Sequence, residues 1–375
     1  MGSVVNMEAK ASSVLSTTDM QDILATLPPV EYAFAYGSGA LKQEGYEQTA
    51  RPSAMPMLDL VVCVDDARAW HAANLDSNPH HYSSICRAMG APGTARLQEN
   101  YGARMLYTTM VPIPIGPHTG RLMKYGMLYN TMVPIPIGPH AGRLMKYGVI
   151  STGDLVTDLT QWRWLYAAGR MHKPVQTLRP PQCSAAGGGG GGVARAVEGN
   201  LASAVVAALL LLPERFSAQE LFLKIAGLSA QELFSKIAGL SYAGDIRMGI
   251  AENPHKVSNI VSGSFDAFKT LYRDALQAMP QVTSRAHDLS TFAQDASPAA
   301  RASLVERLPS AVLQGRHRAI LLAAARSASP NQALAKRLAQ IVGASSRWQG
   351  LKGVVSAGMR KSFLYALAKV RKGWV

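Results

Sequence analysis

The chain has 375 residues, of which 48% are apolar and only 17% charged, and its formal net charge is +14. That length accommodates two or three domains and buries a sizeable core with no disulfide or metal to staple it. A wholly disordered chain and a small disulfide scaffold are thereby excluded, and the positive excess points to an anionic partner. The charge is unevenly placed. From Arg301 to the end there are fourteen bases and one acid, Glu306, so that segment carries +13 and residues 1–300 carry +1.

In chain order, the first 30 residues hold one base, Lys10, against Glu8, Asp19 and Asp22, and show no Arg-rich transit peptide. Tyr32 to Tyr36 (YAFAY) predicts a short strand running into Gly37-Ser38-Gly39. Leu58 to Val64 (LDLVVCV) predicts a second strand, closed by a turn at Asp65-Asp66. Two tandem near-duplications follow. A 22-residue unit is written twice over 105–148 (MLYTTMVPIPIGPHTGRLMKYG, then MLYNTMVPIPIGPHAGRLMKYG), and a 12-residue unit twice over 217–240 (SAQELFLKIAGL, then SAQELFSKIAGL). These periods match no solenoid class, so one copy of each is expected to build the fold, the second copy being favoured. Asp158 to His172 predicts one helix with Leu159, Trp162, Leu165, Tyr166 and Gly169 on a single face. Residues 181–194, with Pro181 and six consecutive glycines, read as a linker or insert. The apolar run Leu201 to Leu212 is too short to span a bilayer and predicts a buried helix rather than a transmembrane one. Each SAQELF unit opens on a capping box.

Cys63, Cys86 and Cys183 have neither metal-ligand nor redox spacing, and Cys63 reads as a buried small hydrophobe. His71, His80 and His81 match no zinc pattern and read as hydrogen-bonded structural or substrate-contact residues. Trp162 and Trp164 read as packing residues. In the tail, Phe363, Leu364, Leu367, Val370 and Trp374 share one helical face, with Lys361, Lys369 and Lys372 opposite. Bases opposite an apolar stripe suit a helix lying on an anionic membrane surface, whereas nucleic acid is disfavoured because few aromatics alternate with the bases.

A strand ending in Gly-Ser, followed about twenty residues later by a strand bearing Asp, is the outline of a nucleotidyltransferase site. Gly37 and Gly39 let backbone approach a triphosphate, Ser38 hydrogen-bonds phosphate oxygens, and Asp59 holds Mg²⁺. The position two residues on, where a second acid is usual, is Val61. A further carboxylate must come from another element, with Asp158 the first candidate and Asp154 the second.

YGSG (36–39), LDLVVCVDD (58–66), WHAANLDSNPHHYS (70–83), KYGVIS (146–151), LYAAGRMHKPV (165–175), LSYAGDIRMGIAENPHKVSNIV (240–261) and the tail LKGVVSAGMRKSFLYALAKVRKGW together resemble the mitochondrial phosphatidate cytidylyltransferase family of the translocator-assembly-and-maintenance type. The resemblance implies an α+β fold. A nucleotidyltransferase domain with a mixed sheet (20–180) would precede the linker. A helical winged-helix-like domain (195–295) and a basic membrane-associating region (296–375) would follow it. It implies that CTP and phosphatidate give CDP-diacylglycerol and diphosphate with Mg²⁺, in a peripheral enzyme on the matrix side of the mitochondrial inner membrane that feeds cardiolipin and phosphatidylglycerol synthesis. Carried over motif by motif, the resemblance places the Gly-Ser turn on Gly37 and Ser38 and the metal carboxylate on Asp59; the chemistry adds Ser38 and Lys146 to Asp59 for catalysis, Asp158 as second metal ligand, and Gly39, Lys42, Arg247 and Lys256 for the nucleotide. Arg170 and Lys173 are further cations for the phosphates. The alternatives are a nucleotidyltransferase acting on RNA or another acceptor, and a catalytically degenerate membrane scaffold.

Overall fold

The computed structural model describes residues 15–41, 56–112, 144–181, 190–212, 225–245, 255–284, 291–327 and 330–357. The architecture is α+β, with one mixed five-stranded sheet, a small three-stranded sheet and many helices. The two predicted strands have the expected bounds, β1 at Tyr32–Tyr36 and β2 at Leu58–Val64. With β3 (Met105–Pro112), β4 (Leu144–Ser151) and β5 (Gln176–Arg179) they form a sheet of order β3-β4-β2-β1-β5. Only β2 and β4 run parallel, and the other neighbours pair antiparallel.

Alternation along each strand divides the sheet into two faces. Ala33, Ala35, Leu60, Val62, Met145, Tyr147 and Val149 look to one side. There they meet α1 (Thr17–Ala25) through Met20 and Ile23, α2 (Ala67–Ser77) through Trp70, and α3 (Ser84–Asn100) through Ala95. Tyr32, Phe34, Val61, Cys63, Met105, Tyr107 and Ile150 look to the other. That side is covered by α4 (Thr152–Gln161), α5 (Ala167–Met171) and α6 (Gly190–Leu211).

The duplicated segments are used in a way the sequence did not suggest. β3 is the opening of the first 22-residue copy, and β4 begins in the closing residues of the second. The two ends of the duplicated region thus supply the paired strands β3 and β4, and residues 113–143 between them lie outside the described residues. The expectation of a native second copy is therefore corrected here. For the shorter repeat, the second copy does form α7 (Ala230–Gly239). Ser229 caps it by accepting from the Glu232 N–H at 3.2 Å and donates to the Glu232 carboxylate at 3.1 Å. The end of the first copy forms strand β6 (Ile225–Ser229).

The single helix expected over 158–172 is also corrected. Trp162 takes φ 56° and ends α4, Leu165 takes φ 50°, and a separate short helix, α5, begins at Ala167. Gly190 to Gly192, expected as linker, open α6, which is nucleated by the apolar run behind them. α6 is the described helix long and apolar enough to cross a membrane by length and composition, yet Ala204 to Leu210 are buried as predicted. It touches α4, α5, α7, α9 (Phe265–Gln277), α10 (Pro298–Glu306) and α13 (Asn331–Ala357). The remaining elements are α8 (Lys256–Ser262), β7 (Val282–Ser284), β8 (Thr291–Asp295), α11 (Ser310–Leu313) and α12 (His317–Ser327), with small-sheet order β6-β8-β7. One interior runs from Phe34 and Val61 through Val205, Phe234 and Phe268 to Leu338, without a break at residue 181.

Candidate active site

The β-strand register sets out the site. Tyr36 pairs with Asp59 across β1 and β2, and Asp59 pairs with Lys146 across β2 and β4. These three side chains and Tyr107 of β3 lie on one sheet face, where the apolar rows give way to polar ones. Lys146 Nζ stands 3.5 Å from Asp59 Oδ1, with the two side chains 18% and 29% exposed. The same Nζ lies 4.4 Å from the centre of the Tyr107 ring. Gly148 permits this, because a Cβ there would come within 2.7 Å of that ring.

β1 turns out of the sheet at Gly37, whose φ of 77° is a left-handed conformation that favours glycine. Gly37 O accepts from the N–H groups of Ala40 and Leu41 at 3.1 and 2.9 Å. A Cβ on Gly39 would lie 2.2 Å from Met57 O, so the turn presses directly on the residues entering β2. The Gly-Ser turn and Asp59 are thus adjacent. A Cβ on Gly37 would be 3.6 Å from Asp59 Oδ2, and its absence leaves that oxygen open toward the turn.

Arg170, on α5, joins from above the sheet. Its guanidinium lies 3.8 Å from the Tyr166 ring centre, 5.4 Å from Tyr36 and 5.9 Å from Tyr107, and it donates to Tyr166 O at 2.7 Å. The Tyr36 and Tyr107 hydroxyls are 3.3 Å apart, and burial pushes both phenols well above their usual range. The three tyrosines were not singled out from the sequence. Tyr36 next to the Gly-Ser turn and Tyr166 four residues before Arg170 are the signals that were there to use.

Lys173 donates to Gly169 O at 2.6 Å and to Ser241 Oγ at 2.9 Å, and it stacks on Tyr242 at 4.8 Å. Lys256 lies over the same ring at 5.3 Å. Burial, helped by the positive charges of Arg170 and Lys256, holds the Lys173 amine well below the usual lysine range. Lys146, Arg170, Lys173 and Lys256, scattered over 110 residues of sequence, therefore form a line of basic side chains carried on tyrosine rings. Lys42 and Arg247 lie outside the described residues.

Asp158 has a different employment from the metal ligand expected. It is buried, and its two oxygens accept from the backbone N–H groups of Trp164, Leu165, Tyr166 and Ala168 at 2.8–3.1 Å. Those amides saturate the carboxylate, so no oxygen is left to face an ion. The bonds instead hold the left-handed loop that presents Arg170. Asp154 lies in the first turn of α4, where the capping residue Ser151 accepts from the Asp154 N–H at 3.2 Å and donates its Oγ to the Asp154 carboxylate at 2.9 Å. Among the described residues no group of three or more His, Cys, Asp or Glu could hold a metal. Among the described residues Asp59 is the carboxylate beside the Gly-Ser turn, and a single carboxylate is a donor set that Mg²⁺ shares with substrate phosphates elsewhere.

His71 and His81 are hydrogen-bonded, as read from the sequence. On the opposite sheet face His71 Nε2 donates to Gln98 Oε1 at 2.9 Å and accepts at Nδ1 from Tyr82 O–H at 2.8 Å. Burial lowers His71 to about 4, so it is neutral. Asn74 donates to both Tyr82 and Tyr147 hydroxyls at 2.9 Å, and the Tyr147 hydroxyl meets His81 Nδ1 at 2.8 Å. Trp162 is buried and donates to Asn200 Oδ1 at 2.8 Å, and Cys63 is buried.

A family model described as "Phosphatidate cytidylyltransferase, mitochondrial" matches residues 20–128, 126–231 and 229–372. The chain belongs to this family. A phosphatidate cytidylyltransferase of the mouse is 36% identical over 96% of this chain and 95% of its own length. The zebrafish relative is 36% identical over 91% and 90%, and the fruit-fly relative 35% identical over 92% and 95%. The family match restarts at 126–128 and 229–231, which are the junctions of the two tandem repeats. The family match thus overlaps itself at the two repeats, the first of which spans the segment between β3 and β4.

Proposed function

We propose that the chain transfers the cytidylyl group of CTP to phosphatidate. A phosphate oxygen of the lipid attacks the α-phosphorus of CTP. The new phosphoanhydride bond forms as the α–β bridge breaks, giving CDP-diacylglycerol and diphosphate. The observation that carries this reading is the Asp59–Lys146 pair beside the Gly37–Ser38 turn, at the head of the line of basic side chains, in a chain of this family.

A phosphomonoester is largely dianionic near neutrality, so the nucleophile needs no strong base. The barrier is the approach of two polyanions, and it is lowered by fixed positive charge. Lys146, placed by Asp59 and the Tyr107 ring, neutralises the phosphates nearest the turn. Arg170 and Lys256 extend the field away from the sheet toward the second anion, with Lys173 an adjoining buried hydrogen-bond donor. Gly37, Ser38 and Gly39 hold the triphosphate through the Ser38 hydroxyl and backbone amides. Asp59 would hold Mg²⁺ together with the triphosphate, and the ion would supply charge neutralisation on the departing diphosphate. The partners are CTP, phosphatidate and an anionic membrane surface, the last engaged through the basic C-terminal region. The site of action is the matrix side of the mitochondrial inner membrane, where the product feeds cardiolipin and phosphatidylglycerol synthesis.

The test is incubation of purified protein with CTP, Mg²⁺ and phosphatidate vesicles, with CDP-diacylglycerol and diphosphate as readouts. The expected result is product from wild type and its loss in Asp59→Ala. Undiminished product in Asp59→Ala would overturn the site, and cytidylyl transfer to RNA in place of lipid would overturn the substrate.

A further inference from the structure

α13 changes character halfway along. In its first half it is an ordinary amphipathic helix, burying Leu334, Leu338, Ile341 and Val342. In its second half the pattern reverses. The buried face carries Ser345, Ser346, Gln349, Lys352 and Ser356, while Trp348, Leu351 and Val354 point outward at 54%, 62% and 43% exposure.

The two longest side chains of the inward polar face, Gln349 and Lys352, are both hydrogen-bonded. Gln349 accepts from the Ala103 N–H at 3.2 Å and donates to Met105 O at 2.8 Å. Lys352, only 4% exposed, donates to Gln98 O and Tyr101 O at 3.2 and 2.7 Å. These carbonyls end α3, where a helix leaves acceptors without partners and favours a cation. The second half of α13 is thus locked in this orientation by specific polar bonds, and its apolar side has nowhere to turn but out.

Other exposed apolar groups adjoin it. The Tyr101 ring lies 6.5 Å from Trp348 and is itself half-exposed. At the other end Ser83 Oγ donates to Val355 O at 2.9 Å, which brings the start of α3, with exposed Ile85 and Met89 one turn apart, to the end of α13. Six of the seven large hydrophobics exposed among the described residues therefore belong to this one α3–α13 surface. A buried lysine beside an outward leucine and tryptophan is the reverse of what water selects.

The surroundings say which apolar medium fits. Besides the inward Lys352, residues 83–104 and 344–375 together carry Arg87, Arg96, Arg104, Arg347, Arg360, Lys361, Lys369, Arg371 and Lys372, against a single acid, Glu99. Apolar side chains set among bases suit the boundary between anionic headgroups and acyl chains. A second copy of so basic a surface would meet like charge. We infer that the second half of α13, with Tyr101, Ile85 and Met89, is a membrane-docking face of the folded body, continuous with the basic segment 358–375. The tail supplies attraction, and this face fixes how the body sits on the bilayer.

The inference takes its choice of partner from the lipid-substrate reading, but its test needs no CTP. The full chain is sedimented with vesicles of phosphatidylglycerol in phosphatidylcholine. Trp348→Ser combined with Leu351→Ser is expected to weaken the partition by at least about tenfold, through loss of two buried apolar side chains. Trp348→Phe is expected to retain binding. Ile320→Ser, at an exposed apolar residue on α12, is expected to change nothing. Thermal melting checks that the double variant folds. A chain ending at Ala357 should keep weak binding that the double substitution abolishes. Wild-type partition by a folded double variant would overturn the inference. So would conversion of a dimer to a monomer by the same variant, which would assign the face to a second copy. Patch-dependent binding without CDP-diacylglycerol formation would sink the proposed activity and leave this face standing.

Discussion

Lys146 and Tyr147 are neighbours on β4 and point to opposite faces of the same sheet. On the Lys146 side the polar end of the face holds Asp59, Arg170 and partly exposed charge. On the Tyr147 side, at the same level of the strand, the groups are buried: His71, Asn74, His81 and Tyr82, each with a hydrogen-bond partner. One side leaves its charges partly exposed, the other bonds its polar groups to one another. A site needs charges whose partners are incomplete until substrate arrives, and a scaffold needs polar groups whose partners are already in place. The contrast teaches which residues to assign to chemistry and which to the frame.

Five changes would break or sharpen it. Lys146→Ala should lower cytidylyl transfer by about 10²–10³-fold with little change in melting temperature, because the charge acts on ligand rather than on the fold. A large loss of stability instead would show the Asp59–Lys146 pair to be structural. Asp158→Ala strands four amide donors and releases the left-handed loop under Arg170. Denaturant unfolding should register a loss of about 3 kcal/mol or more, accompanied by lost activity. An unchanged unfolding midpoint would refute this role.

The buried neutral histidine gives the back face a pH signature. Above pH 6.5 His71 is neutral in both folded and unfolded chains. As pH falls from 6.5 toward 4 only the unfolded chain gains the proton, so stability declines across that window by up to about 3 kcal/mol and then levels off. His172, lowered by burial to about 3, extends the decline further. Melting curves of His71→Gln should show a shallower slope between pH 6.5 and 4, and an identical slope would contradict the assignment.

Tyr147→Phe removes one hydroxyl shared by Asn74 and His81. It should cost about 1–2 kcal/mol in urea unfolding while kcat stays near wild type, the mirror image of Lys146→Ala next door. The smallest effect concerns the connection between β3 and β4. Deleting residues 114–135 removes one 22-residue repeat and shortens the turn from 31 to 9 residues. Loop-closure entropy then favours the folded chain by about 1 kcal/mol, with activity kept. Loss of folding on this deletion would show that the deleted copy is part of the frame.

Much of the site was legible before any coordinates. The strands at 32–36 and 58–64, the Gly-Ser turn between them and Asp59 follow from local pattern and turn chemistry, which depend on near neighbours in sequence. The burial of Leu201 to Leu212 follows from apolarity alone. Asp158 was misread because its four partners arise from a loop conformation, with Trp162 and Leu165 at positive φ, that no local propensity predicts. The tyrosine rings beneath Lys146 and Arg170 were missed for a related reason. Tyr36, Tyr107 and Tyr166 meet only through sheet register and the docking of α5.

The repeats separate the two kinds of information most sharply. Residues 225–229 and 237–241 are the same pentapeptide, IAGLS. The first is strand β6, paired along its whole length with Thr291–Asp295 of β8. In the second, Ile237 to Gly239 close α7 behind the Ser229 cap, and Leu240 and Ser241 continue into a helical turn. By itself the sequence determined the family, the strand pair that carries Asp59, and where the charge accumulates, because composition and short-range pattern suffice for these. Only the tertiary structure decided whether IAGLS pairs with a strand or completes a helix. It likewise decided whether Asp158 meets an ion or amides, and which side of α13 faces out. In each case the deciding partner lies elsewhere in the chain or in the solvent, and free energy is minimised over those contacts rather than residue by residue.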